Sequence, residues 1–402
     1  MRLFIHDFGG YAFILQLSKT LAQRGHQVCH AFYGSHQTTP PGVQQIQTGD
    51  IPNLEIKPIA LSSVLDKYNF YKRFKQESEY GHVAARAIHD FKPDLVLSAN
   101  TPLDAQKTLT KVCNDAGIPF IFWIQDLLGI AAYKILKRKI PVLGSLVGKH
   151  YIRLEDKLIK QSDAIVTITH EFSRLLSSLN KESSKPVYLI QNWAPLDQLP
   201  VVSKENRWSI ENNLTDKFCF LYSGTLSMKH DPDVLLQLAL AFKDDPDTRV
   251  VVVSQGLGAN WLKEQVNVHN LTNLLVLPYQ PVADLPDVLG TADVTVTLLD
   301  DAAGSYSVPS KVFTYMCAGR PLLMSAPLQN YAARLIKEHT LGFTSMPADT
   351  KDFLSHARRL KENADLRQKL GQNARTQAEN LFDIDKIANT FEELFGQLTD
   401  QA

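Results

Sequence analysis

The chain of 402 residues is 44% hydrophobic and carries 42 Lys plus Arg against 42 Asp plus Glu, a formal charge of zero. That length exceeds what one hydrophobic core usually fills, so two domains are expected. Neutrality removes any global field toward nucleic acid, so no nucleic-acid partner is expected and any charge effect must be local. The cysteines Cys29, Cys113, Cys219 and Cys317 stand singly and far apart. Such spacing gives neither a disulfide framework nor a Cys-x-x-Cys metal knuckle, and fits a reducing cytoplasm. The N-terminus opens on strand-like residues 3–5 followed by His6 and Asp7, without the apolar core of an export signal. No apolar run approaches the roughly 18 residues that cross a bilayer.

In chain order, strand-like segments at 3–5, 28–32, 94–98, 120–124 and 164–169 alternate with helical ones such as 12–24. A second series begins at 218–222 and continues at 249–254, 274–277 and 294–299. This rhythm predicts an α/β chain of two Rossmann-like, doubly wound parallel-sheet domains, spanning 1–197 and 209–383. Residues 193–208, rich in Pro, Leu and polar residues without periodicity, are the candidate hinge. Residues 352–398 read as helices broken near 382–384, with Phe391, Leu394 and Phe395 on one apolar face.

Chemistry is expected where strands give way to helices. After the first strand, Gly9 and Gly10 allow a sharp turn and a close backbone approach to a ligand, although an ordinary tight turn uses the same residues. Residues 291–321 read as a buried strand, a small-residue loop and a helix opening at Pro309, with Gly319 and Pro321 as stop signals. Amides of Gly304 to Ser307 would then converge with the helix's unpaired N–H groups and positive dipole end. Ser310 and Lys311 add a hydroxyl and a cation, a set better suited to a diphosphate than to a single carboxylate. A plain strand-to-helix turn with a serine cap explains the same stretch.

Pro309-Ser310-Lys311, three residues, then Tyr-Met-Cys-Ala-Gly-Arg-Pro at 315–321 resembles the donor-sugar loop of family-4 retaining glycosyltransferases. The resemblance implies a GT-B fold and transfer of a sugar, with retention, from a nucleotide diphosphate sugar to an acceptor. It implies donor contacts from Gly9, Gly10, Ser305, Tyr306, Ser307, Ser310, Lys311 and Thr314. Segment 221–229 is similar to the opening of the family's second domain, where Gly224 ends a strand and Lys229 neutralises the departing diphosphate. The position that usually carries an arginine is Thr225. Ser254, at the next strand's end, and Tyr279, in the loop beside the nucleobase, complete the donor set, although Tyr279 also reads as a half-buried packing aromatic. Tyr306 and Thr314 stand where many members carry two glutamates. Asp126 is similar to the acid of the family's His-Asp pair, with Gln125 in the histidine's place, and would orient the acceptor hydroxyl or donor sugar, or cap the next helix. Glu155 resembles a family glutamate and also reads as stabilising a helix, and Asn192-Trp193 resembles the family's Pro-Asn-Gly interdomain turn. Since no His, Cys and carboxylate set has metal-ligand spacing, a metal-free reaction without a separate cofactor is expected.

Residues 134–160 hold eight Lys or Arg, including Lys137, Arg138 and Lys139, against only Glu155 and Asp156, interleaved with aliphatic residues. Residues 67–75, with Lys72 and Arg73, mix cations and aromatics. Both suit an anionic membrane surface, and both also read as solvated charged helices. The expected partners are therefore a nucleotide-sugar donor, a saccharide or lipid-linked acceptor, and a peripheral contact at the inner face of a cell membrane. A nucleotide-sugar epimerase of related fold and a non-catalytic nucleotide-sugar-binding protein are the alternatives.

Overall fold

The computed structural model describes residues 1–34, 51–63, 65–66, 69–179, 185–226, 230–301, 303–304 and 307–400. The chain divides into two compact units, Met1–Asn192 with Ile384–Ala402, and Trp193–Asp383. In unit 1 the elements run β1 (Arg2–Asp7), α1 (Ala12–Gln23), β2 (Gln27–Tyr33), β3 (Leu54–Ile59), α2 (Phe70–Phe91), β4 (Leu95–Ala99), α3 (Leu103–Ala116), β5 (Phe120–Ile124), α4 (Leu128–Lys139), α5 (Pro141–Gln161), β6 (Ala164–Thr167), α6 (His170–Leu179) and β7 (Val187–Leu189). Its seven strands lie in the order β3-β2-β1-β4-β5-β6-β7, with every pair parallel.

Unit 2 repeats the plan with α7 (Arg207–Glu211), β8 (Phe218–Ser223), α8 (Asp233–Ala241), β9 (Thr248–Val253), α9 (Leu257–His269), β10 (Leu274–Leu277), α10 (Leu285–Gly290), β11 (Val294–Leu298), α11 (Lys311–Cys317), β12 (Leu322–Ser325), α12 (Tyr331–Glu338), β13 (Gly342–Ser345), α13 (Thr350–Glu362) and α14 (Ala364–Leu381). The six parallel strands are ordered β10-β9-β8-β11-β12-β13. Helices on both faces of a sheet require strands buried on both sides, hence runs such as Phe120–Ile124, in which every residue is buried. In each unit the strand order reverses beside the first strand, between β1 and β4 and between β8 and β11. Such switch points leave a crevice at the carboxyl ends of the strands, where α/β folds bind ligands.

Several strands escape the periodicity reading. β3 contains Pro58, which lacks a ladder donor, and it lies at the sheet edge where that lack is tolerated. β7 and β13 are edge strands of three and four residues, too short for an alternating pattern. β1 runs on through His6 and Asp7 because the imidazole is satisfied inside: its Nε2 lies 2.7 Å from the Tyr80 hydroxyl and its Nδ1 2.9 Å from Thr101 Oγ1. Burial beside His30 pulls the His6 pKa down to about 3, so it is neutral.

The last helix, α15 (Ile384–Thr399), returns to unit 1. Phe391 is fully buried with its ring 5.0 Å from that of Trp123, and Arg24 on the loop after α1 reaches Asp385 at 2.7 Å. Phe391→Ala is expected to destabilise unit 1 by about 3–5 kcal/mol, the usual loss for a buried phenylalanine, seen as a lower urea midpoint at unchanged m-value.

Candidate functional site

The carboxyl edge of unit 2 gathers most of the described donor residues around the β8/β11 switch point. β8 ends at Ser223, and Gly224 follows with φ +131°, a conformation open to glycine. The absence of a side chain there makes room for Lys311: a Cβ on Gly224 would stand 3.2 Å from the lysine Cε and 3.4 Å from its Nζ. From the start of α11, Lys311 donates a hydrogen bond to the Tyr222 hydroxyl, and its ammonium sits 4.0 Å from the centroid of that ring. Tyr222 in turn donates to the Thr225 carbonyl at 2.9 Å. Removal from water lowers the Lys311 pKa to about 7, and among the described residues no carboxylate is paired with it.

Around this cation the neighbouring loops are tied together by side chains. Tyr315 Oη accepts from the Ser223 amide at 2.8 Å and donates to its carbonyl at 3.0 Å, locking α11 to the end of β8. Buried Ser254, after β9, accepts the Leu226 amide at 3.1 Å and so holds the loop after Gly224. Thr225, standing in the arginine position, hydrogen-bonds the Tyr279 hydroxyl, while the Tyr279 ring stays 42% exposed. Tyr279 is thus held at its tip with an open face, not buried as packing.

At its described residues the loop before α11 differs from the expected anion pocket. α11 begins at Lys311 with Ser310 as its cap, two residues later than the Pro309 start, and Ser310 makes no side-chain cap bond. The Ser307 amide is spent on the Ala303 carbonyl at 3.2 Å. Asn330, buried before α12, donates to the carbonyls of Gly304 and Ser307 at 3.0 and 2.9 Å, fixing the loop by its carbonyls. Exposed Ser310 and partly buried Thr314 border Lys311 along the chain. Lys229, Ser305 and Tyr306 lie outside the described residues. Tyr222 and Tyr315 fall inside the quoted motifs without a role being assigned to them, and Asn330, the cap of α12, lies outside every motif.

In unit 1, Asp7 at the end of β1 occupies the place expected for a ligand anion. Its carboxylate accepts the amides of Gly9 at 3.1 Å and of Tyr11, and the Asn100 side chain at 3.0 Å, while the Gly10 amide bonds the Asp7 carbonyl at 3.1 Å. Burial raises the Asp7 pKa to about 7 against the pull of these bonds. The Gly9 and Gly10 amides, expected to face a diphosphate, are therefore already engaged. Asp126 lines a cavity of about 170 Å³ with Tyr11, Asn100, Trp123 and Gln125. It is not the cap of α4, whose cap position is Leu127. The Gly129 amide is instead taken by Glu155 of α5 at 3.1 Å, the helix-stabilising role read from the sequence. Among the described residues no group of three His, Cys, Asp or Glu is placed to hold a metal ion.

Two parallel sheets of this strand order, each open at a switch point, define the GT-B class of α/β enzymes. The family model for glycosyltransferase family 4 matches residues 9–198, and that for glycosyl transferases group 1 matches 203–377. This chain belongs to the family-4 GT-B glycosyltransferases. No curated protein sequence matches it. Its fold is similar to that of sucrose-phosphate synthase from Thermosynechococcus elongatus, at TM-score 0.75 and 15% identity over 100% of both chains. HepE from Anabaena, solved with UDP and glucose, aligns at TM-score 0.73 and 14% identity over 99% of this chain and 100% of that one. WaaG, a glycosyltransferase of lipopolysaccharide biosynthesis, aligns at TM-score 0.65 and 15% identity over 99% of each chain.

Gly224→Ala tests the geometry around the cation. A Cβ there is strained by the backbone and pressed against Lys311, so folding stability should fall by about 1–3 kcal/mol in thermal or denaturant unfolding.

Proposed function

We propose that this glycosyltransferase takes a nucleotide diphosphate sugar on the carboxyl edge of unit 2 and transfers the sugar, with retention, to a lipid-linked or envelope saccharide. The observation that carries the reading is the Lys311 ammonium, held against Tyr222 at the β8/β11 switch point. As the bond from the anomeric carbon to the β-phosphate oxygen breaks, its electron pair stays on that oxygen, and the acceptor hydroxyl forms the new bond and passes its proton to the departing diphosphate. A cation fixed in a water-poor site stabilises the developing charge more than it stabilises the bound substrate, which is the condition for raising rate. Tyr279 offers its exposed face to the nucleobase, Ser310 offers a hydroxyl to the diphosphate, and Tyr306 and Thr314 are assigned hydroxyl contacts in place of the family's carboxylates. Lys229 is assigned a second cationic contact to the diphosphate, and Asp126 the orientation of the acceptor. The charge on the β-phosphate is met by these side chains without a metal or a further cofactor, and the enzyme works in the cytoplasm.

UDP-glucose, the ligand type of the HepE structure, is the first donor to try in a thermal-shift panel, since binding to the folded state raises apparent stability by mass action. Lys311→Ala should lower kcat/KM about 10²–10³-fold, the usual loss for one such electrostatic contact, with the fold retained by circular dichroism. Unchanged turnover would remove the role. Lys229→Ala should likewise lower turnover with little effect on folding.

Donor affinity should also depend on pH. Only the ammonium form of Lys311 attracts the diphosphate, and in the free protein that form is lost as pH rises through about 7. Binding then requires proton uptake, so donor Kd should weaken by up to about tenfold per unit above pH 7. The slope should vanish in Lys311→Met, as calorimetry in buffers of different ionisation enthalpy would show.

A further inference from the structure

Helices α4 and α5 form an antiparallel pair joined at Ile140, and their seam is made of glycine. A Cβ on Gly144 would meet the Leu136 carbonyl oxygen at 2.1 Å, one on Gly148 the Tyr133 Cα at 2.5 Å, and one on Gly129 the Ile152 Cα at 3.0 Å. Backbones this close leave no room between them for large side chains, as in the small-residue seams of membrane helices. At 100° per residue, Val142, Leu146, Lys149 and Arg153 fall on the side of α5 opposite Gly144 and Gly148. The aliphatic residues near the joined ends of the pair are consequently turned outward, Val142 79% exposed, Leu146 63%, Leu143 59% and Ile140 54%, while Leu154, Leu158 and Ile159 farther along α5 are buried. Such a cluster exceeds the scattered exposed aliphatics of an ordinary surface.

Its charge is of one sign. Between Asp126 and Glu155 the sequence holds no acidic residue, while Lys137, Arg138 and Lys139 end α4 and Lys149 and Arg153 continue along α5. The other basic and aromatic stretch lacks this property. On α2, Arg73 is paired with Glu77 at 2.6 Å and Lys72 approaches Asp66 at 3.9 Å, while Lys75 lies over the Tyr71 ring at 4.5 Å, so acids stand among the cations there. Among the described residues no helix is long and apolar enough to cross a membrane.

We propose that the α4–α5 pair is the face by which this protein docks on a bilayer containing anionic phospholipids. Its cations meet phosphate headgroups, while Val142, Leu143 and Leu146 enter the boundary of the acyl region. Docking needs only the surface of unit 1. That it brings the enzyme to a lipid-linked acceptor rests on the acceptor reading above.

The test is co-sedimentation of the full chain with vesicles of phosphatidylcholine alone and with 30% phosphatidylglycerol (a working composition of about that fraction), at low and high salt. Binding is expected to the anionic vesicles only, weakening as salt rises. The triple variant Lys137→Glu, Arg138→Glu, Lys139→Glu should reduce partitioning at least about tenfold, and Val142→Ser with Leu146→Ser should reduce it several-fold. All variants should keep the thermal midpoint and the donor-induced shift of the parent. No vesicle binding, binding indifferent to both variants, or retention by RNA in preference to vesicles would overturn the docking face. Vesicle binding without any donor-induced shift would sustain the face and overturn the donor reading.

Discussion

An ammonium group lodged against an aromatic ring at the end of a parallel sheet is the interaction on which the chemistry proposed for unit 2 depends. Lys311 reaches Tyr222 because the strand order reverses between β8 and β11, so the residues that follow those two strands share one edge. Gly224 supplies the space and Tyr315 fixes the distance between the elements, bonding both backbone groups of Ser223. The cost is desolvation, visible in the depressed pKa of the lysine. A charge kept partly out of water acts strongly on a ligand anion because little solvent remains to screen it. Ser254, Thr225 and Tyr279 extend the same ordering outward, each by one hydrogen bond that ties a loop to its neighbour.

Unit 1 has the same sheet plan and uses its corresponding turn differently. The amides that an anion would seek after β1 are bound by Asp7, a carboxylate of the chain itself, with Asn100 from the loop after β4 completing its hydrogen bonds. The turn is thus made rigid from within, beside a small cavity whose lining includes the polar residues Tyr11, Asn100, Thr101, Gln125 and Asp126. Two copies of one topology therefore present opposite electrostatics at equivalent places: a cation in unit 2 and carboxyl groups in unit 1. A phosphate-bearing donor suits the first, and hydroxyl groups seeking acceptors suit the second.

Much of the architecture was readable from pattern. Strands such as Phe120–Ile124 and Thr248–Val253 hold apolar runs before turn signals, and helices from both sides force that composition on any interior parallel strand. The edge strands β7 and β13 were not readable, since three or four residues hold no period, nor was the continuation of β1 through His6, whose imidazole depends on Tyr80 far along the chain. Of the candidate site, Gly224, Ser254 and Lys311 were found through motif, and the structure brings them to one edge. The roles of Tyr222, Tyr315 and Asn330 were not legible, because each works through a partner remote in sequence: Lys311, Ser223 and the loop at Gly304 and Ser307.

By itself, then, the sequence determined the α/β class, the two-domain plan, the family and the residue types available for diphosphate chemistry, because hydrophobic period, turn residues and the Pro-Ser-Lys motif are local properties. The tertiary structure alone decided that Lys311 faces Tyr222, that Asp7 fills the amide turn of unit 1, and that the glycine seam of α4 and α5 turns aliphatic side chains toward solvent. Each of those outcomes depends on the distance between backbones brought together by sheet order and helix packing, and no spacing along a chain encodes that distance.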